Sequence, residues 1–201
     1  MIKNVVFDMG NVLLDYNPNV ILDKVCDTRE EKEIIMKELF NGPEWIMGDR
    51  GDITNEERYE LVKKRLPEGL HEKLKECVLH WDICMEPVKG AKEFLKEVKE
   101  MGYDTYIISN AATNFYEYFP KMFSLEDFLG IVVSADVHIL KPDAGIYNYF
   151  LEKYHLKAEE CLFIDDLIKN VEGAKFVGMQ AFVFENNFDS VKKKYLTPLN
   201  S

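Results

Sequence analysis

From Pro87 onward, short apolar runs alternate with stretches of helical periodicity, and this alternation narrows the possible folds of the 201-residue chain more than anything else. Val88, Ala91, Phe94, Leu95, Val98 and Met101 recur at helical spacing, and Gly102 stands where a C-terminal cap belongs. The pattern then predicts a strand over 104–108, a helix over 112–122 and a strand over 131–134. A helix over 143–154, a strand over 161–164, a helix over 167–177 and a last strand over 180–184 complete it. Strands and helices in strict alternation imply a parallel sheet with right-handed crossovers. Val5-Val6-Phe7, short and wholly apolar, reads as one further buried parallel strand.

Between Pro18 and Leu79 the pattern is helical only. Thr28…Glu31 and Thr54…Glu57 each match a capping box, in which a Ser or Thr is followed three residues later by Glu. Apolar stripes follow both caps (Ile34, Ile35, Leu39, Phe40, then Tyr59, Leu61, Val62, Leu66), and Pro67 stops the second helix. A helical block of roughly 70 residues is far longer than a crossover requires. The expected architecture is therefore α/β: a doubly wound parallel sheet, Rossmann-like, over 1–15 and 84–201, with an inserted small helical cap domain over 16–83.

Apolar residues make up 47% of the chain and charged residues 30%, an ordinary globular balance, and the formal net charge is −11. That charge argues against a nucleic-acid or anionic-membrane surface. No apolar stretch reaches the roughly 20 residues of a membrane helix, and Met1-Ile2-Lys3-Asn4 leads directly into the first strand without a signal-peptide pattern. Cys26, Cys77, Cys84 and Cys161 form no CxxC pair, which favours reduced thiols and a cytoplasmic protein.

Candidate chemistry sits just past the apolar runs, where ligands bind in open α/β sheets. Asp8 ends the first strand and suits a metal ligand, a nucleophile or both, although an isolated Asp also suits a helix N-cap. Asp165-Asp166 places two carboxylates side by side, with Asn170 one helical turn beyond Asp166. Mutual repulsion there invites a cation, and hard oxygen ligands favour Mg²⁺. Ser109-Asn110, between a strand and a helix, offers phosphate-binding groups, and Lys141, held by Pro142 at the start of the next helix, offers an ammonium. The four histidines lack metal-ligand spacing, and Arg50-Gly51-Asp52 is a chance tripeptide in a cap loop. Trp45 and Trp81 read as cap core, with Trp45, Asp49 and Arg50 as candidate substrate contacts.

The ordered set Asp8, Ser109, Lys141 and Asp165-Asp166 resembles the four motifs of the haloacid dehalogenase-like hydrolase superfamily, and the likeness spans nearly the whole chain. The stretch 163–179, with Asn170, Glu172-Gly173-Ala174 and Gly178, is similar to the last of these motifs. The opening Asp8-Met9-Gly10-Asn11-Val12 is most similar to the branch containing α-D-glucose-1-phosphate phosphatase; the phosphatase domain of soluble epoxide hydrolase is a more distant relative. The resemblance implies that Asp8 forms an aspartyl-phosphate. It implies Mg²⁺ on the Asp8 carboxylate, the Gly10 carbonyl and Asp166, with Asp165 and Asn170 supporting that shell. It further implies Ser109, Asn110 and Lys141 around the phosphoryl group, with Lys141 also screening Asp8 from its anionic substrate.

One departure stands out. Superfamily phosphatases carry a second aspartate two residues after the nucleophile, where it protonates the leaving oxygen; this chain has Gly10. A substrate with a good leaving group, such as a sugar 1-phosphate, needs less protonation; alternatively Asp15 or a water substitutes. The expectation is a Mg²⁺-dependent phosphatase for a small phosphorylated metabolite, a sugar phosphate in particular. The alternatives are a 2-haloacid dehalogenase, against which the acidic pair counts, and a binding protein that has lost turnover.

Overall fold

The computed structural model describes residues 1–197. Five strands build the central sheet: β1 (Asn4–Phe7), β4 (Asp104–Ser109), β5 (Gly130–Val133), β6 (Cys161–Asp165) and β7 (Gln180–Val183). A separate antiparallel pair joins β2 (Leu14–Tyr16) to β3 (Met85–Pro87). The order across the sheet is β5-β4-β1-β6-β7, and every pairing in it is parallel. The chain moves outward from β1 to one side through β4 and β5, then returns to the other through β6 and β7. The order therefore reverses at β1, and the crevice at its carboxyl end is where a doubly wound sheet takes its ligand.

Both faces of β1 are covered. Val5 and Phe7 point into one apolar cluster and Val6 into the other, all three without solvent exposure. Full burial of such side chains is worth about 1.5–3 kcal/mol each. Phe7 meets Phe94 edge-on at 6.0 Å, from the amphipathic helix Ala91–Glu100, and Phe128 at 6.4 Å. These contacts clamp the strand that ends in Asp8.

Between β2 and β3 the regular elements are all helices, joined by turns. Both capping boxes form: Thr28 accepts from the Glu31 N–H and Thr54 from the Glu57 N–H, with each Glu side chain returning to its N-cap backbone. The β2–β3 pair stitches the two ends of this insertion together, with Leu14 opposite Pro87 and Tyr16 opposite Met85. Strands of three residues are too short to show a period, so sequence patterning does not reveal them.

Three other local features depart from expectation. The helix expected over 112–122 is Phe115–Tyr118 followed by a 3₁₀ turn, Phe119–Lys121, because Pro120 has no N–H to continue an α-helical ladder. Pro142 does not open its helix: the Lys141–Pro142 peptide is cis, and Asp143 caps a helix over Ala144–Lys153 by accepting from the Gly145 N–H at 2.7 Å. A final helix, Phe188–Tyr195, is capped by Asn187 and carries three lysines in its last turn. All four cysteines are free thiols, and each is buried. No helix among the described residues is long and apolar enough to cross a membrane.

Candidate active site

Asp8 leaves β1 still tied to the sheet, its N–H donating to the Ile164 carbonyl at 2.8 Å. Its side chain is buried, and Oδ1 accepts from the Met9 N–H and from the Lys141 ammonium, both at 2.7 Å. Oδ2 has no partner among the described residues. One oxygen thus fixes the carboxylate while the other stays free to act. The turn that follows closes tightly: Asn11 adopts φ 54°, a left-handed conformation that Asn tolerates, and its N–H reaches the Leu14 carbonyl at 2.7 Å.

Asp165 is fully buried and wholly committed. It accepts from Lys141 Nζ at 2.7 Å, the Leu167 N–H at 2.8 Å and Asn170 Nδ2 at 3.0 Å on each oxygen. Such complete pairing makes Asp165 a scaffold for its neighbours. Asp166 is half-buried and accepts from Asn11 Nδ2 at 3.0 Å. Asn11 was not singled out in the sequence, although its place in the turn three residues after Asp8 was the available signal.

Lys141 is 3% exposed, between Asp8 and Asp165. The Asn110 side chain sets its position through a reciprocal pair: Lys141 N–H donates to Oδ1 at 2.8 Å, and Nδ2 donates to the Lys141 carbonyl at 3.1 Å. Both polar ends of that amide are thereby occupied, so the Asn110 side chain aims Lys141. From below, Gly173 lets its helix approach Pro142 closely; a Cβ there would lie 2.6 Å from the Pro142 carbonyl oxygen. The Ser109 hydroxyl, at the end of β4, is buried without a hydrogen-bond partner among the described residues. A buried hydroxyl left unpaired costs about 1–3 kcal/mol, which suits one that meets its partner only when ligand arrives.

The electrostatics of the corner are set by burial and by carboxylates close to one another. Burial, then the charges of Asp165 and, more weakly, Asp166, push the Asp8 carboxyl up to about 8, against the pull of Lys141. Burial and the Asp165 charge likewise raise Asp166, with Asn11 opposing. Burial alone would lower Lys141, but Asp8 and Asp165 more than reverse this and hold it protonated. Oxygens of Asp8, Asp165 and Asp166 come within 4.8 Å of one another, with one ammonium among three carboxylates. This all-oxygen, anion-rich donor set fits a hard divalent cation such as Mg²⁺.

Above this corner opens a cavity of about 130 Å³, lined by Met9, Gly10 and Asn11 from the core and by Tyr16, Trp45, Asp49 and Trp81 from or beside the insertion. The rings are packed as well as exposed to the cavity: Tyr16–Trp45 lie 5.8 Å apart, Trp45–Trp81 5.3 Å and Trp81–Tyr118 5.0 Å. Of the three insertion residues anticipated as substrate contacts, Trp45 and Asp49 line the cavity. Arg50 is turned into an ion pair with Asp52.

Comparison with known proteins bears on the family and the fold. The family model for haloacid dehalogenase-like hydrolases matches residues 2–178. A sesquiterpene phosphatase of Aspergillus oryzae is 29% identical over 88% of this chain and 87% of its own length. A phosphoglycolate phosphatase of Nitrosospira multiformis is 24% identical over 96% and 88%. A family enzyme of Bacteroides thetaiotaomicron, solved with magnesium and inorganic phosphate, superposes with a TM-score of 0.68 at 20% identity, covering 93% of this chain and 96% of that one. This chain belongs to the haloacid dehalogenase-like hydrolase family, and its sequence relatives set it among that family's phosphatases.

Proposed function

We propose that this enzyme is a Mg²⁺-dependent phosphomonoester hydrolase that cleaves a small phosphorylated metabolite, a sugar phosphate in particular, through an aspartyl-phosphate on Asp8. The observation that carries the reading is a carboxylate with one oxygen anchored and one free, beside a buried lysine and two further carboxylates. In this reading Asp8 Oδ2 attacks phosphorus in line with the departing oxygen. Lys141 and the unpaired Ser109 hydroxyl hold the phosphoryl oxygens as charge shifts among them. Asp8, the Gly10 carbonyl and Asp166 would hold the metal, with Asp165 and Asn170 fixing the residues around it. Bound Mg²⁺ would neutralise phosphoryl charge and favour the ionised form of Asp8.

The helical block over 16–83 acts as a cap in this proposal, closing its aromatic wall over the leaving group and excluding water. A cavity of about 130 Å³ favours a small leaving group, and its rings suit the apolar face of a compact ring. Dehalogenation is disfavoured, because three carboxylates would repel a haloacid unless a cation intervened. The test is a panel of phosphorylated metabolites assayed for phosphate release with Mg²⁺ and with EDTA, beside chloride release from 2-haloacids. Mg²⁺-dependent phosphate release supports the proposal; metal-independent chloride release without phosphate release defeats it.

A further inference from the structure

A phosphatase of this design needs a proton for its leaving oxygen, and Gly10 has none to give. Asp15 does not fill the gap. It is exposed on β2 and absent from the cavity wall, whereas Tyr16, on the opposite face of the same short strand, lines that wall. The only carboxylate in the lining that also includes Gly10 and Asn11 is Asp49.

Asp49 is held there from the core side. Its carbonyl accepts from the Ser134 hydroxyl, and the Arg50 carbonyl lies 3.0 Å from His138 Nδ1. Gly51 adopts φ 77° against Ala135, where a Cβ would come within 2.5 Å of the Ala135 oxygen, so the turn after Asp49 sits tightly on the core. The Asp49 carboxyl has neither hydrogen bond nor ion pair among the described residues. A half-buried, unpaired carboxyl on a cavity wall is free to meet what enters the cavity.

We infer that Asp49, carried by the helical insertion, donates the proton to the leaving oxygen in place of the missing aspartate at position 10. The inference rests on the phosphatase reading. As Asp8 Oδ2 bonds to phosphorus, the bond from phosphorus to the leaving oxygen breaks. That oxygen keeps the electron pair, takes the Asp49 proton and departs as an alcohol. Asp49, now a carboxylate, accepts a proton from the water that attacks the aspartyl-phosphate. Phosphate leaves, and Asp8 and Asp49 return to their starting forms.

The surroundings support the role. Burial pushes the Asp49 carboxyl up to about 7, with Arg58 opposing, so that both forms are populated near neutrality. The charged or titratable groups facing it are Arg58 from the helix Asn55–Lys63, Tyr16 from β2 and Tyr118 from the helix Phe115–Tyr118. Arg58 is itself pinned, donating to Asn55 Oδ1 at 3.0 Å and lying 4.7 Å over the Trp45 ring. Burial raises the Tyr118 hydroxyl, and the charges of Asp49 and Asp8 add to the rise, so this one side chain senses both carboxylates.

The experiment compares wild type, Asp49→Asn and Asp8→Asn with Mg²⁺ on ethyl phosphate, a poor leaving group, and p-nitrophenyl phosphate, a good one. We expect Asp49→Asn to lower kcat on ethyl phosphate about 10²–10⁴-fold, and on p-nitrophenyl phosphate by less than about tenfold. The wild-type decline of ethyl phosphate turnover above pH about 7 should disappear in Asp49→Asn. NMR of ¹³C-labelled carboxyls should show a titration near that pH that is absent from the variant. Equal losses on both substrates, or an unchanged pH profile, overturn the inference while the phosphatase reading stands. Wild type inactive on both substrates, or Asp8→Asn as active as wild type, defeats the phosphatase reading and this inference with it.

Discussion

The corner around Asp8 and the wall contributed by the insertion are built on opposite principles. In the corner, Lys141 and Asp165 are buried and fully committed, with seven hydrogen bonds and ion pairs between them, and Asp8 Oδ2 and the Ser109 hydroxyl are left to meet a ligand. In the wall, Tyr16, Trp45 and Trp81 pack ring against ring, and the one acid, Asp49, is unpaired. The corner hangs from strand ends fixed by a sheet, so its atoms are held to a narrow geometry. The wall hangs from helices stitched to the core by a three-residue strand pair and by the Asp49–Gly51 contact. On the reading proposed above, reaction chemistry falls to the sheet-anchored corner, and selection and proton delivery fall to the wall that packs against it.

The strongest challenge to this contrast is Asp8→Asn. It should reduce turnover by about 10⁴-fold or more on every phosphoester, whatever the leaving group, while the fold persists because Asp165 still pairs Lys141. A variant that spares any substrate would break the division of labour. Next in size, Lys141→Ala removes the cation that pairs buried Asp165 and Asp8 and should cost about 3–5 kcal/mol in urea unfolding without metal. An unchanged midpoint would show that the corner is more hydrated than its burial indicates.

The pH dependence follows with a definite sign. In the fold, Asp8 holds its proton up to about 8, whereas in the unfolded chain it releases it in the ordinary carboxylate range. Its contribution to stability is therefore fully present at acid pH and lost progressively as pH rises to about 8, then constant. Thermal midpoints of wild type minus Asp8→Asn, followed against pH in EDTA, should show that fall, and Mg²⁺ should flatten it. A rise with pH in EDTA would contradict the burial argument.

Gly10→Asp sharpens the comparison between the two regions. No atom lies within 4 Å of a Cβ built at this position, so a Cβ is taken without a clash. The gain in kcat should be confined to alkyl phosphates, and should be larger in an Asp49→Asn background than in wild type; a uniform change on all substrates would dissociate position 10 from protonation. The smallest effect belongs to Thr54→Ala, which removes one capping box in the insertion. It should cost about 1 kcal/mol by thermal or urea unfolding and leave p-nitrophenyl phosphate turnover intact.

Much of the core was legible because its signals are local. Wholly apolar runs such as Val5–Phe7 and 161–164 are what strands covered on both faces require, and the capping boxes at Thr28 and Thr54 depend only on residues three apart. The acidic pair and Asp8 stood out because carboxylates at strand ends converge in any parallel sheet of this winding. The β2–β3 pair and the broken helix after Asn114 were less legible, since each departs from periodicity over only three or four residues.

Sequence by itself determined the fold class and the residue types at the corner, because periodicity, caps and strand-end acids are properties of neighbours along the chain. Only tertiary structure decided that Asn110 is spent on aiming Lys141, that Asp15 faces away, and that Asp49 shares a cavity with Gly10. Those three facts depend on which groups meet across 31 residues or more, or on which face of a three-residue strand turns inward. Spacing along a chain carries no such information until packing closes the distance.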